Sequence, residues 1–220
     1  MAAQKKSISR KELLKKPDEF ITTSNQIAHW VTVHYQKVIW VGAVVVLVAG
    51  AFFGYRAYSA HQEKQGREAY FAALELPEIT QKIKKLSSVT TDYPRTQGAQ
   101  KAWISLGHLY YQQKDFTQAL NAYRSALSRG KLLPEFQSLI NESLAYVLEE
   151  KGDLKGAADT FNQLLKGPDP LLKENAHLNL ARVQVKLGQT KEAKSTYQDF
   201  LKAFPTSIYA PLVRDRLAKM

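Results

Sequence analysis

Between Lys37 and Arg56 the chain reads "VIWVGAVVVLVAGAFFGY", eighteen residues without a charge, Val38 through Tyr55. As an α-helix the run covers roughly 27 Å, close to the ~30 Å hydrocarbon core of a bilayer. Val and Ile are weak helix formers in water. In lipid a helix is the one single segment that satisfies its own backbone polar groups. Trp40 at one end, Tyr55 and Tyr58 at the other, and the flanking Lys37 and Arg56 suit two membrane interfaces. A removable signal peptide fits less well, because 37 residues precede the run and it exceeds the usual ~7–15-residue apolar region. A buried strand rarely needs such a length. The sequence therefore predicts an uncleaved transmembrane helix over 38–58.

Lys/Arg placement predicts its orientation. Lys5, Lys6, Arg10, Lys11, Lys15, Lys16 and Lys37 precede the span, whereas Arg56, Lys64 and Arg67 follow it closely. The N-terminus is expected in the cytoplasm and the C-terminal bulk across the membrane, which in a bacterium is the periplasm. Residues 1–37 form the basic N-terminal segment. Ser9 and Glu12 make a capping-box pattern and Pro17 ends a short helix, which either rests on anionic headgroups or only sets topology. A second helix is expected to start near Ser24 or Asn25 and enter the span. Gly50 and Gly54 form a G-x-x-x-G, a candidate helix-pairing contact and also a pattern common in spans.

The net charge is +11 and there is no cysteine, which excludes disulfides, thiolate metal sites and cysteine nucleophiles. No interleaving of basic and aromatic residues supports nucleic acid as a partner. His29, His34, His61, His108 and His177 are scattered, without carboxylates at ligand spacing. No phosphate loop, nucleophile elbow or zinc-protease motif is present. The expectation is no catalytic residue, no metal, no cofactor and no enzyme.

The repeat begins after residue 96. In "QKAWISLGHLYYQQKDFTQALNAYRSALSRG", Trp103, Leu106, Gly107, Tyr110, Ala119, Tyr123 and Ala126 are spaced as in tetratricopeptide repeats (TPR). Gly107 and Ala119 are small where two antiparallel helices cross, the large residues fill the seam, and Lys114-Asp115 makes the turn. Leu144, Ala145, Leu148, Ala157, Phe161 and Leu164 repeat the pattern 38 residues on. Leu180, Ala181, Ala193, Tyr197, Phe200 and Pro205 repeat it after 36 more. Lys131 stands at the pattern's terminal proline, and Gln184 at its aromatic position. Tyr93-Pro94 and Phe204-Pro205 look like one helix-ending device, which makes 66–94 a degenerate first hairpin and "SIYAPLVRDRLAKM" a capping helix.

The chain thus resembles the TPR family. The fold class expected is all-α: one transmembrane helix, a connector and degenerate hairpin over 59–96, then a right-handed TPR-like α-solenoid over 97–220. The resemblance implies a concave groove for a protein or peptide, lined by Lys101, Ile104, His108 and Tyr111, by Leu139, Glu142, Tyr146 and Glu149, and by Asn175, Leu178, Arg182 and Val185. The alternative is a solvated face. Ile104 and His108 stand where the lysine–asparagine clamp of some TPR domains would begin, so that clamp is not evident. The layout is similar to YfgM-type proteins, ancillary subunits of the bacterial SecYEG translocon. That resemblance implies an inner-membrane adaptor between secreted polypeptides and periplasmic chaperones. A TPR scaffold for another envelope assembly or division complex is the competing reading, and self-association through span or groove stays open.

Overall fold

The computed structural model describes residues 19–128, 134–167 and 170–220. The short helix expected around Ser9–Pro17, six of the seven basic residues before the span, and Lys131 lie outside the described residues. The chain divides into two units, 1–59 and 60–220. The described residues hold ten helices and no strand, an all-α solenoid of helical hairpins as expected.

In the first unit, α1 spans Glu19–Val33 and α2 begins at Tyr35, continuing to Leu74 in the second unit. His34 separates them without breaking the helical bonding: its N–H donates to Trp30 O at 2.9 Å, and Val38 N–H donates to His34 O at 3.1 Å. The expected start at Ser24 or Asn25 is corrected, since both are exposed inside α1. Ser and Asn make good caps but cost only about 0.5 kcal/mol within a helix, so a favourable upstream turn overrides them. None of the residues of α2 up to Tyr55 is buried, and α2 is long and apolar enough to cross a membrane.

The second unit contains the end of α2, then α3 (Ile79–Asp92), α4 (Gln97–Gln112), α5 (Phe116–Ser128), α6 (Pro134–Glu150), α7 (Leu154–Lys166), α8 (Pro170–Lys186), α9 (Thr190–Ala203) and α10 (Ala210–Ala218). From α3 onward each helix packs on the next, and α6 also touches α8. The small residues at the predicted crossings, Ala119, Ala145, Ala157, Ala181 and Ala193, are fully buried. At Gly107 a methyl group would sit 2.7 Å from the Tyr123 ring.

All three hairpin turns are Schellman motifs. Asp115, Asp153 and Gln189 each donate N–H to a carbonyl five residues back, at 2.9 Å in every case. The residue before each has positive φ: 60° at Lys114, 81° at Gly152 and 76° at Gly188. Lys114 therefore carries a strain that the two glycines avoid. Lys114→Gly is expected to raise stability by about 0.5–1 kcal/mol, read as a shift in the denaturant midpoint without a change in slope.

The two proline-linked ends share one geometry. Tyr93 has φ −127°, ψ 48° and Phe204 has φ −131°, ψ 60°, with the N–H of each returning to the carbonyl four residues back. The following proline disfavours the helical conformation at both. Ala73 of α2, Leu86 and Val89 of α3, and Ala102 and Leu106 of α4 belong to one buried cluster, with Tyr70 and Ile83 packed against it. α2 ends at Leu74 rather than running to Pro77, and Ile79 is exposed in the first turn of α3. At the other end, Val213 of α10 is buried with Ala181, Tyr197 and Phe200.

Candidate functional site

The groove residues read from the sequence fall on α4, α6 and α8, the first helix of each hairpin. Four of them come together through one hydrogen-bonded chain. The Glu149 carboxylate, 8% exposed at the end of α6, receives both terminal nitrogens of Arg182 on α8. Lys186 Nζ donates to Glu149 Oε1 at 2.7 Å. Arg182 also donates to Asn179 Oδ1 at 3.0 Å, and Asn179 Nδ2 donates to the Tyr146 hydroxyl at 2.8 Å. That hydroxyl donates in turn to Glu142 Oε1 at 3.4 Å. Tyr146 is held in place by Phe161, whose ring meets it edge-to-face at 5.5 Å.

Burial pushes the Glu149 carboxyl up, but the hydrogen bonds and charges of Arg182 and Lys186 outweigh it and hold the group below its ordinary value. The Arg182 guanidinium is held still more firmly charged, chiefly by its bond to Glu149. The Tyr146 hydroxyl is raised by burial and then by Glu142. Tyr111, at the end of α4, is raised by burial and then by the nearby Glu150 and Glu149 charges. It therefore shares the electrostatic environment of the α6–α8 chain, while its ring packs edge-to-face on Phe116 at 5.6 Å.

A lowered folded pKa for Glu149 means that its stabilisation is present above the unfolded value and is lost as pH falls through the folded one. Stability should therefore decline below about pH 4.5. Glu149→Gln should remove part of that acid limb in urea melts taken across pH 2–6. An unchanged acid limb would place the charge of Glu149 outside the fold's energetics.

Of the other predicted residues only Asn175 touches this chain, through its backbone. Lys101 is exposed on α4, and Ile104 packs partly buried against the central core. Exposed His108 bonds Gln112 through Nε2 at 3.0 Å. Asn175 contributes its backbone carbonyl to Asn179 at 2.9 Å. Leu139 and Val185 are exposed, and Leu178 is partly buried against the C-terminal core. Gly50 and Gly54 have open space beside them on α2. Among the described residues no cluster of three His, Cys, Asp or Glu is placed to hold a metal.

Sequence reasoning missed Asn179 and Lys186. A signal existed, because the polar bonds between hairpins run at roughly one repeat length. Tyr146–Asn179, Glu149–Arg182 and Glu174–Ser207 are each 33 residues apart, and Thr117–Lys151 is 34 apart. A search one period ahead of each groove residue for a complementary partner finds Asn179 from Tyr146, whereas Lys186 lies 37 residues beyond Glu149 and escapes it.

The repeated turns, the buried small residues and the successive helical hairpins describe a TPR stack, and residues 29–220 match the family described as tetratricopeptide repeat-like domain. The chain belongs to that family. Its solved structural neighbours show the same fold. A tetratricopeptide repeat protein from Parabacteroides merdae superposes with a TM-score of 0.59 at 20% identity, covering 72% of this chain and 60% of that one. MamA from AMB-1 gives 0.52 at 17% identity, covering 67% and 76%. YrrB, described as a TPR protein with an unusual peptide-binding site, gives 0.50 at 14%, covering 64% and 68%. No curated protein matches the chain. As a TPR fold, the repeat unit is of the protein-interaction type.

Proposed function

We propose that the chain is a single-pass membrane protein whose repeat unit binds polypeptide along α4, α6 and α8. The observation that carries the anchor is the unburied run in α2: Trp40, Val46, Leu47, Phe53 and their neighbours are all exposed. An apolar surface of that extent is tolerated in lipid rather than in water. Six lysines and arginines before residue 17 favour a cytoplasmic N-terminus, with the repeats in the periplasm of a bacterial inner membrane. Aromatic and paired polar groups on the groove helices suit a peptide main chain and mixed side chains. The similarity to YfgM-type proteins extends the proposal to an ancillary role at the SecYEG translocon, passing secreted polypeptides to periplasmic chaperones.

The absence of native cysteine gives a direct test. Lys5→Cys and Ser128→Cys are compared in intact cells with a membrane-impermeant thiol reagent. Position 128 should label and position 5 should be protected. Equal protection of both, or the reverse pattern, would sink the orientation. Loss of the protein from carbonate-washed membranes would sink the anchor itself.

A further inference from the structure

We infer that the cavity where α8, α9 and α10 meet is a subsite for one apolar side chain of an acidic client segment. The inference rests on the polypeptide-binding reading and names the client chemistry that this end of the groove selects. The cavity measures about 320 Å³. Binding pockets run from roughly 300 to 1,000 Å³, so it suits one large side chain rather than a whole ligand.

Its floor is mainly hydrocarbon: Val185 on α8, the ring of Tyr197 on α9, and Met220 beyond α10. Val185 remains 47% exposed, an apolar group offered to an incoming chain. Its rim is cationic. Arg182 and Lys186 approach from α8, and Arg216 and Lys219 from α10 and the residue after it. Of the acidic side chains, Glu149 stands under Arg182 and Lys186, and Asp215 is paired with Lys219 at 2.6 Å, so cations outnumber acidic side chains around the cavity. Arg216 bonds the neutral hydroxyl of Tyr197 at 2.9 Å, which fixes its direction without cancelling its charge.

An apolar floor inside a positive rim is matched by an apolar side chain with carboxylates on either side. It repels a basic client. A second copy of this chain carries a net charge of +11 and meets the same repulsion, so the geometry favours an acidic partner over self-docking. The sequence pattern assigned α10 only a capping role. Here it also supplies half of the rim, at the position a further groove helix would take.

The test uses the full chain in detergent micelles and a fluorescent ten-residue peptide carrying one leucine between pairs of glutamates. The peptide should bind, and should bind less tightly as salt rises. Replacing its glutamates by lysines should abolish binding, and replacing its leucine by serine should weaken it. Neither control alters the protein's own fold. Lys219→Glu and Val185→Asp should each weaken binding about five- to thirtyfold. Lys155→Glu on α7 should leave it unchanged, with the unfolding midpoint of every variant measured alongside. Binding that ignores Lys219→Glu and Val185→Asp, while a crosslinker at Tyr146 still captures the peptide, overturns the subsite and leaves the groove reading standing. No binding of acidic, neutral or basic peptides and no capture at Tyr146 overturns both. Binding insensitive to the leucine and displaced by an oligonucleotide of equal charge also overturns it, because bare charge then suffices.

Discussion

Phe161→Ala is expected to cost the repeat unit about 3–5 kcal/mol. Phe161 is 0% exposed and sits in the largest core cluster, which joins residues of α5, α6, α7 and α8. Truncation removes the buried ring and leaves a cavity that surrounding helices only partly fill. The loss is a large fraction of an ordinary domain stability of about 5–15 kcal/mol. It also withdraws the ring that holds Tyr146 from behind, so the groove chain from Glu142 to Glu149 should loosen with it. Urea unfolding followed by circular dichroism should show the midpoint falling. In a solenoid, neighbours stabilise one another pairwise, so the transition should broaden as the hairpins on either side uncouple. A loss below about 1 kcal/mol would contradict this core assignment.

Gly98→Val is expected to cost about 3 kcal/mol, the upper end for overpacking. A side chain at Gly98 would run into the backbone carbonyl of Gly66, so α2 and α4 touch main chain to main chain there. Neither backbone can give way without separating the helices. The Glu63 carboxylate, which accepts the Gln97 N–H at 3.1 Å, would be pulled from the start of α4. The buried Thr96, whose hydroxyl accepts from Ala99 N at 3.1 Å, lies in the same seam. Hydrogen exchange should show α3 and the end of α2 losing protection while α7–α9 keep theirs. Gly54→Ala, with open space beside it, should leave those rates unchanged. Equal protection of α3 in Gly98→Val and the parent would refute the close approach.

The repeat register was legible because its determinants are local. Gly107, Ala119, Ala145, Ala157, Ala181 and Ala193 recur where helices cross, and only small residues fit there. The proline-linked ends at Tyr93 and Phe204 were legible because proline restricts its predecessor wherever it occurs. The start of α1 was misplaced because Ser24 and Asn25 carry a cap signal too weak to stop a helix already under way. In the groove, Glu149 and Arg182 could each be named, but not as partners, since the bond depends on how hairpins stack. Asn179 and Lys186 lie outside the family's groove positions and join only through that stacking. Arg216 and Lys219 were hidden for the same reason: they stand beside Arg182 and Lys186 through the packing of α10 on the end of the stack, where Val213 is buried.

The central claim is that the face formed by α4, α6 and α8 of a membrane-anchored repeat protein binds polypeptide. Site-specific photo-crosslinking in intact membranes tests it most directly. A photoreactive residue replaces Tyr146 on that face or, as the comparison, Asp159, which is exposed on α7. The account expects adducts with secreted polypeptides or translocon subunits from position 146 and none from position 159. Equal adducts from both positions, or none from position 146 while the protein remains folded and membrane-bound, would contradict it.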